Sequence, residues 1–236
     1  MTENTYSIKD NVERVKYDVF EICSKLGRNP EDIQIMGVSK TKSVDEIEQA
    51  IKAGITLFGE NKVQELIQKT ELFKKYNLPC HLIGSLQTNK VKYLPPLTNY
   101  IQSVDSIKLA KEIDKQYQKN NSVANILIEV NIGDEETKGG IDISNTFEII
   151  HELSEYKSLA IKGLMCIPPI CEGEKVRHYF AQMYKLFIDI QSKNVDNVSM
   201  DILSMGMSSD YRYALMEGSN LIRVGQGIFG KRNYNI

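Results

Sequence analysis

Lys40 is the residue whose position most clearly suggests covalent chemistry, because it follows an apolar run, residues 33–38, that is rich in Ile, Met and Val. If this run is a strand, Met36, Val38 and Lys40 lie on one face, and the ammonium group emerges beside apolar neighbours. Desolvation lowers the pKa of a lysine and frees its amine to act as a nucleophile. The alternative is a lysine that only closes a strand and extends into solvent.

Two segments near the carboxyl end of the chain contain residues typical of phosphate sites. In residues 204–210, Ser204 ends a predicted strand, and Ser208-Ser209-Asp210 is a predicted helix start whose backbone N–H groups would attract an anion. Gly225-Gln226-Gly227 would let the backbone approach a phosphate closely. Each segment alone is common in turns. Together, opposite a strand-end lysine, they favour a phosphorylated carbonyl ligand.

Arg223 lies two residues before Gly225, on the same face of the last predicted strand. A buried arginine needs an acceptor. That acceptor is either a carboxylate, for example Glu60 or Glu129, or a ligand that offers a heteroaromatic nitrogen or an anion. Uncharged polar residues close to predicted strand ends could line the edge of a cofactor, and these are Asn61, Gln87, Asn89 and Asn131.

Strands that alternate with helices must position these residues. A helix-start pattern, Ser43-x-x-Glu46, follows the first strand, and Gly54 closes the helix. The predicted strands are residues 33–40, 56–61, 80–85, 100–104, 125–130, 161–167, 200–204 and 221–225. The predicted helices between them include residues 44–53, 89–94, 144–156 and 175–191, and an additional helix, residues 8–26, precedes the first strand.

This order predicts an α/β fold, a single (β/α)8 barrel of the TIM type with an extra N-terminal helix, and one domain over residues 1–236. A doubly wound open sheet is the alternative. In a barrel the chemistry lies at the carboxyl ends of the strands, and phosphate binds at the loops after strands seven and eight. The predicted barrel therefore brings Lys40 and both candidate phosphate segments to one mouth.

Composition argues against several other classes of protein. The formal net charge is −2 without a basic stripe, so neither nucleic acid nor an anionic membrane is expected as a partner. Four cysteines form no C-x-x-C pair and three histidines are far apart, so no metal site is expected. The polar residues 1–10 are unlike a signal peptide, and no apolar run reaches membrane-span length. We expect a cytoplasmic protein with reduced thiols.

Five motifs, in order along nearly the whole chain, resemble those of the pyridoxal phosphate homeostasis protein family. They are Val-Ser-Lys-Thr-Lys at 38–42, Phe-Gly-Glu-Asn-x-Val-Gln-Glu at 58–65, His-x-Ile-Gly-x-Leu-Gln-x-Asn-Lys at 81–90, Leu-Ser-Met-Gly-Met-Ser-x-Asp at 203–210 and Arg-Val-Gly-x-x-Ile-Phe-Gly at 223–230. This family is similar in fold to the barrel domain of alanine racemase.

The resemblance implies that pyridoxal 5′-phosphate (PLP) is held covalently, as an aldimine with Lys40. It also implies phosphate contacts from Ser204 and from the backbone of Gly225 and Gln226, with Arg223 near the pyridine nitrogen. The other cofactor-binding residues expected from these motifs are Asn61, Met205 and Ser208.

Two positions depart from the family pattern. Gln226 replaces a small hydroxyl residue, so a side-chain contact to phosphate is lost while the backbone N–H remains. Lys62 replaces an aromatic residue after Gly-Glu-Asn, which removes any ring packing there. The Gln226 departure is expected to alter the affinity for phosphate.

Binding PLP does not by itself make an enzyme. An arginine at the pyridine nitrogen keeps the ring neutral and limits carbanion stabilisation. A racemase also needs a second acid or base on the opposite face of the substrate. In alanine racemases that residue comes with an additional β domain, for which we expect no room because the sequence ends six residues after Gly230.

We therefore expect a PLP-binding protein of intracellular PLP homeostasis that has little or no catalytic turnover. It would hold PLP as a lysine Schiff base, pass it to PLP-dependent apo-enzymes, and act as a monomer. A small PLP-dependent amino-acid racemase is the main alternative. A lysine aldolase-type barrel acting on a sugar phosphate is a third hypothesis.

Overall fold

The parallel strands of this chain close into a barrel. The computed structural model describes residues 7–98, 100–135, 139–171 and 173–230. Within these residues the sheet order is β4-β3-β2-β1-β9-β8-β7-β5-β6, and an additional pairing of β4 with β5 closes the ring. The strands are β1 Gln34–Val38, β2 Leu57–Glu60, β3 Cys80–Leu82, β4 Tyr100–Val104, β5 Ala124–Asn131, β6 Ile141–Asp142, β7 Leu159–Cys166, β8 Val198–Met207 and β9 Leu221–Val224.

The predicted (β/α)8 barrel with its extra N-terminal helix is confirmed, and the open-sheet alternative is wrong. The two-residue strand β6 pairs with the end of β5 outside the ring and was not predicted. The helices are α1 Ile8–Leu26, α2 Val44–Lys52, α3 Val63–Lys75, α4 Ile107–Lys119, α5 Ile143–Leu153, α6 Arg177–Gln191, α7 Tyr211–Met216 and α8 Gln226–Phe229, with 3₁₀ helices at Pro30–Asp32, Thr88–Tyr93 and Gly173–Val176.

Local sequence signals explain several boundaries. Ser43 and Glu46 form the predicted capping box at the start of α2, each side chain bonded to the backbone of the other residue. Gly27 ends α1 in the left-handed conformation that glycine adopts without strain. The helix predicted at residues 89–94 is a 3₁₀ helix over Thr88–Tyr93.

Two apolar layers stabilise the fold. A large outer cluster lies between the strands and the surrounding helices. A smaller inner cluster fills the barrel itself, as in other barrels whose interior is packed side chains and not a pore. The inner cluster is Met36, Val38, Leu57, Ile83, Leu127, Met165, Ile202 and Leu221. Met36 and Val38 therefore point inward, as the alternation of strand β1 predicted.

Helix α1 fastens the last two helices to the barrel. Its buried Val12, Val15 and Val19 join the outer cluster. The side-chain amide of Asn11 donates to the carbonyl of Ile228 in α8 at 3.0 Å. Asp18 accepts hydrogen bonds from the two residues that begin α7, Tyr211 and Arg212. The additional helix thus holds the segments that follow β8 and β9.

The seventh strand of the ring, β8, is longer than predicted, because it ends at Met207 and not at Ser204. The sequence predicts a strand end at Ser204, but inside the barrel the Ser204 hydroxyl has polar partners and the strand continues past it. Gly206 has φ +93°, and a Cβ there would lie 2.6 Å from the Cβ of Ala214, so glycine is required for α7 to pack against the strand end.

The structure also locates the cysteines, the potential metal ligands and the longest helices. All four cysteines are free thiols. In the described part of the chain, His, Cys, Asp and Glu side chains form no group of three or more that could hold a metal ion. Across the same described ranges, no helix has the length and apolar character needed to cross a membrane.

Candidate functional site

A cavity of about 260 Å³ opens at the carboxyl ends of the strands. Val38 and Lys40, from β1 and the turn after it, form one wall, and Ile83 lies beside them. The segments after β8 and β9 form another wall. Six of the eight predicted cofactor-binding residues line this cavity, namely Lys40, Asn61, Ser208, Arg223, Gly225 and Gln226.

The side chains of Ser204 and Met205 lie away from the cavity wall. Ser204 is fully buried inside the barrel, where its hydroxyl donates to Oε1 of Gln102 at 2.7 Å. Met205 points to the outer apolar cluster on the other face of β8. Because β8 continues to Met207, the loop that reaches the cavity begins at residues 207–209 and not at Ser204.

Lys40 lies in a tight turn two residues after β1 and is half-buried. Thr41 has φ +64°, a left-handed conformation that is costly for a β-branched residue and persists only where neighbours hold it. Its N–H donates to Oε2 of Glu65 at 2.6 Å, and its hydroxyl donates to the carbonyl of Lys40 at 2.6 Å. The turn thus directs the lysine side chain into the cavity beside Val38, as predicted.

Ser208 joins the two candidate phosphate segments. Its hydroxyl oxygen accepts the N–H of Gly225 at 3.2 Å and the N–H of Gly227 at 3.0 Å. Asp210 steadies the first segment by accepting the N–H of Met207 at 2.5 Å. Backbone N–H groups and a hydroxyl therefore converge at one side of the cavity, and this is the type of group that binds phosphate oxygens.

Arg223 is 4% exposed, and its guanidinium is fixed by acceptors in the barrel wall. Nη1 donates to the carbonyl and to the hydroxyl of Ser204, at 2.8 and 2.7 Å, and Nη2 donates to the carbonyl of Cys166 at 2.9 Å. Within the described residues these bonds engage three of the five guanidinium N–H groups, and Arg223 also lines the cavity.

The suggested ion pairs of Arg223 are not formed, since within the described ranges neither Glu60 nor Glu129 lies within 4.0 Å of its guanidinium. Glu60 instead pairs with Lys69 at 2.7 Å. Burial lowers the pKa of Arg223, and the charges of Glu129 and Asp210 act in the opposite direction. Arginine stays protonated in proteins even when burial lowers its pKa, so the cavity wall carries a fixed positive charge.

A chain of buried hydrogen bonds continues from Arg223 through the barrel interior. Ser204 donates to Oε1 of Gln102, and Nε2 of Gln102 lies 2.9 Å from Nδ1 of His81. The amide nitrogen must donate, so His81 Nδ1 is the acceptor. Burial lowers the pKa of His81 to about 3, so the ring is neutral and stacks on Tyr100 at a centroid distance of 4.2 Å.

Glu129 is a titratable residue near the site. The sequence suggested it only as a possible partner of Arg223. It lies on β5 two residues after Leu127 of the inner cluster and therefore on the inward face of the strand. Burial and the charge of Asp105 raise its pKa to about 7, while Arg223 acts in the opposite direction. The alternation from Leu127 to Glu129 was the signal that could have placed it.

The other polar residues considered from the sequence have different roles. Oδ1 of Asn61 is buried and has no hydrogen-bond partner in the described part of the chain, so this oxygen can accept from a ligand donor. Gln87 and Asn89 are exposed. Asn131 bonds to the backbone of Glu135 in its own loop. Asn61 is therefore the member of this group that belongs to the cavity wall.

Larger clefts, of about 700 and 610 Å³, lie at the opposite end of the barrel. Both are lined by His81 and Tyr100, and the larger also by Gln34 and Leu57, at the amino-terminal ends of their strands. Chemistry in (β/α)8 barrels lies at the other end. We therefore assign the functional site to the smaller cavity, where an amine, a guanidinium and an N–H-rich loop meet.

The fold and the cavity define the class of protein, a (β/α)8 barrel of the alanine racemase type that has a lysine after its first strand. The profile of the family described as "Alanine racemase, N-terminal domain" matches residues 11–233. Within this class, the chain belongs to the pyridoxal phosphate homeostasis protein family.

Similar proteins cover the chain almost completely. The pyridoxal phosphate homeostasis protein of Aquifex aeolicus is 41% identical over 226 residues, which are 95% of this chain and 98% of that protein. A protein from Bifidobacterium adolescentis has a similar crystal structure, with a TM-score of 0.89, 31% identity and 94% coverage of both chains. PipY of Synechococcus elongatus, solved with PLP bound, has a TM-score of 0.77 and 30% identity, over 90% of this chain and 100% of that one.

Proposed function

We propose that this protein binds PLP in the cavity, holds it as a Schiff base with Lys40, and takes part in intracellular PLP homeostasis with little or no catalytic turnover. The observation that carries the proposal is the meeting of Lys40 with the segments after β8 and β9 in one cavity. The names of the relatives and the PLP bound to PipY support the choice of ligand.

The cavity residues fit the parts of PLP. The amine of Lys40 suits the aldehyde, and Ser208 with the backbone of Gly225 and Gln226 suits the phosphate. PLP supplies an aldehyde that condenses reversibly with amines. The neutral amine of Lys40 would add to the aldehyde carbon, and the carbonyl oxygen would leave as water. Addition of water reverses the reaction, so the same lysine can release the cofactor unchanged.

The charge of Arg223 supports the proposal of limited turnover. Carbanion chemistry on PLP is favoured when the pyridine nitrogen is protonated, which a carboxylate partner promotes. The guanidinium of Arg223 is already protonated. It would donate a hydrogen bond to the pyridine nitrogen and so disfavour a second positive charge on that nitrogen. A cavity whose buried donor is Arg223 is therefore suited to holding PLP more than to stabilising a substrate carbanion.

The test is to incubate the purified protein with PLP, remove excess ligand, reduce with borohydride and map the modified peptide. We expect a visible absorbance band before reduction and a modified Lys40 after it. Lys40→Ala should abolish the band, while Lys108→Ala, which removes an exposed lysine in the first turn of α4, should retain it.

Each contrary outcome overturns a distinct part of the proposal. No band in the unmodified protein would refute PLP binding. A band in Lys40→Ala, or a modified peptide elsewhere, would refute the role of Lys40. Substantial deuterium incorporation at Cα of free amino acids by the loaded protein would refute the expectation of little turnover and favour the racemase.

A further inference from the structure

Both residues beside Lys40 are held by side chains of helix α3. The N–H of Thr41 donates to Oε2 of Glu65 at 2.6 Å, and the carbonyl of Ser39 accepts from Nζ of Lys69 at 2.7 Å. Glu65 and Lys69 are one helical turn apart and face the same way. The reactive lysine thus lies on a turn that is anchored at both ends to one helix.

Lys69 is itself unusual, since a lysine that is only 8% exposed is rare without full pairing. Its ammonium has three acceptors. Besides the carbonyl of Ser39, they are Oε1 of Glu60 at 2.7 Å and Oε2 of Glu65 at 3.4 Å. Glu60 also accepts from the hydroxyl of Ser39 at 2.6 Å. All three N–H donors of Lys69 therefore serve the network behind Lys40, and Lys69 is directed away from solvent.

We propose that Lys69 and Glu65 are positioning residues that hold the Ser39–Thr41 turn, so that the amine of Lys40 is presented to the aldehyde of its ligand. The inference rests on the proposed function and goes beyond it, because it assigns a role to a second, buried lysine. Thr41 requires such a restraint because its φ is strained, and an unrestrained chain would relax to a more favourable φ.

The groups that face Lys69 come from three elements. Glu60 belongs to β2, Glu65 to α3, and Cys80 to β3. Burial raises the pKa of Glu60 against the opposing bonds from Lys69 and Ser39. Burial also acts to raise the pKa of Glu65, but the N–H of Thr41 and the charges of Lys69 and Lys62 outweigh it and lower that pKa. Burial raises the pKa of Cys80, so its thiol stays neutral.

The first test compares Lys69→Met with Lys75→Met. Lys75 is on the same helix and pairs with Glu48 at 3.0 Å on the surface, so its variant controls for the loss of a lysine–glutamate pair. We expect the association constant for PLP, measured from the visible band, to fall about tenfold or more in Lys69→Met and to stay unchanged in Lys75→Met.

A second pair of variants tests the other half of the turn without removing the buried ammonium. Glu65→Ala takes away the acceptor of the Thr41 N–H, whereas Glu65→Gln retains an oxygen at that place. We expect weaker PLP binding in Glu65→Ala and rescue in Glu65→Gln, with Glu71→Ala as the exposed control on the same helix. Amide hydrogen exchange of Thr41 in the PLP-free protein should accelerate in Glu65→Ala and Lys69→Met only.

These measurements separate the inference from the proposed function. If the unmodified protein forms no visible band, the proposed function fails, and faster Thr41 exchange would still establish the restraint. If the band forms equally well in folded Lys69→Met and Glu65→Ala, the positioning role is refuted while PLP binding stands. Unaltered Thr41 exchange in both variants would also refute it.

Discussion

The two basic residues of the cavity differ in how their side chains are held. The guanidinium of Arg223 is bonded directly to two strand carbonyls and a hydroxyl, so its position is fixed by the barrel wall. Lys40 is oriented through the backbone of its turn, where neighbouring residues make the restraining bonds. A fixed donor and an amine on a restrained turn suit a site that must recognise a ligand and also bond to it reversibly.

Removal of the Ser208 hydroxyl should weaken binding of the phosphorylated cofactor. Ser208→Ala deletes the acceptor that links Gly225 and Gly227, together with a donor for phosphate. A hydrogen bond to a charged group contributes about 1.5–3 kcal/mol, so PLP affinity should fall roughly tenfold to a hundredfold. Titration with pyridoxal, which lacks the phosphate, provides the comparison and should change little.

Ser192→Ala, which alters an exposed serine after α6, is the control variant. Equal losses of affinity for PLP and pyridoxal in Ser208→Ala would mean that the hydroxyl holds the loops but does not serve the phosphate.

Glu129→Gln should change how stability depends on pH. The pKa of Glu129 is about 7 in the folded protein against an ordinary value of 4.5. Below pH 4.5 the Glu129 carboxyl is protonated in both the folded and the unfolded protein, so the variant should match the unmodified protein in stability. Between these values the unfolded chain loses its proton while the folded protein retains it, so the unmodified protein loses stability as the pH rises.

Urea denaturation at pH 4 and pH 8 measures this effect. Above pH 7, Glu129→Gln should be more stable than the unmodified protein by about 2 kcal/mol, allowing for screening of the partly exposed carboxyl. Glu148→Gln, at an exposed helix position, should show no such pH dependence. A gain for Glu129→Gln of equal size at both pH values would contradict the raised pKa.

At the scale of elements, the cavity depends on where strands end. Sequence patterns placed the strands and most helices correctly, because alternating and helical apolar spacing reports directly on burial. They did not give the end of β8, since a serine inside a barrel looks like a loop residue until its partners Gln102 and Arg223 are known. These partners are 102 and 19 residues away along the chain. Such pairing is set by closure of the ring.

Gly206→Ala should show how strongly the loop after β8 depends on its geometry. At φ +93° an alanine is strained, and its Cβ would contact Ala214 and the backbone of Tyr211 in α7. Gly27→Ala, at φ +65° with no atom near the added Cβ, carries the conformational cost alone. We expect Gly27→Ala to cost about 1 kcal/mol and Gly206→Ala about 2–4 kcal/mol in thermal or urea unfolding.

The same variant should weaken PLP binding, because movement of α7 away from the strand end displaces Ser208. Equal unfolding costs in Gly206→Ala and Gly27→Ala would show that α7 accommodates the extra methyl group.

At the scale of the whole molecule, the sequence predicted which residues meet at the mouth but not how they are supported. Lys40, Arg223 and Gly225 follow from the order of strands and the general rule for barrels. The restraint from Lys69 could not be predicted, since a lysine in a charged amphipathic helix usually extends to solvent. Its burial depends on α3 packing its inward face against β2 and the turn after β1, which is a property of three-dimensional packing.

Pairing of the first strand with the last has a consequence for how the protein is made. Met36 of β1 is in register with Arg223 of β9, and Lys40 and Gly225 line one cavity although 185 residues separate them. During synthesis the amine therefore leaves the ribosome long before the loop that faces it exists. A nascent chain lacking β9 contains the lysine but not the opposite wall, so the proposed cofactor site is complete only in a closed barrel.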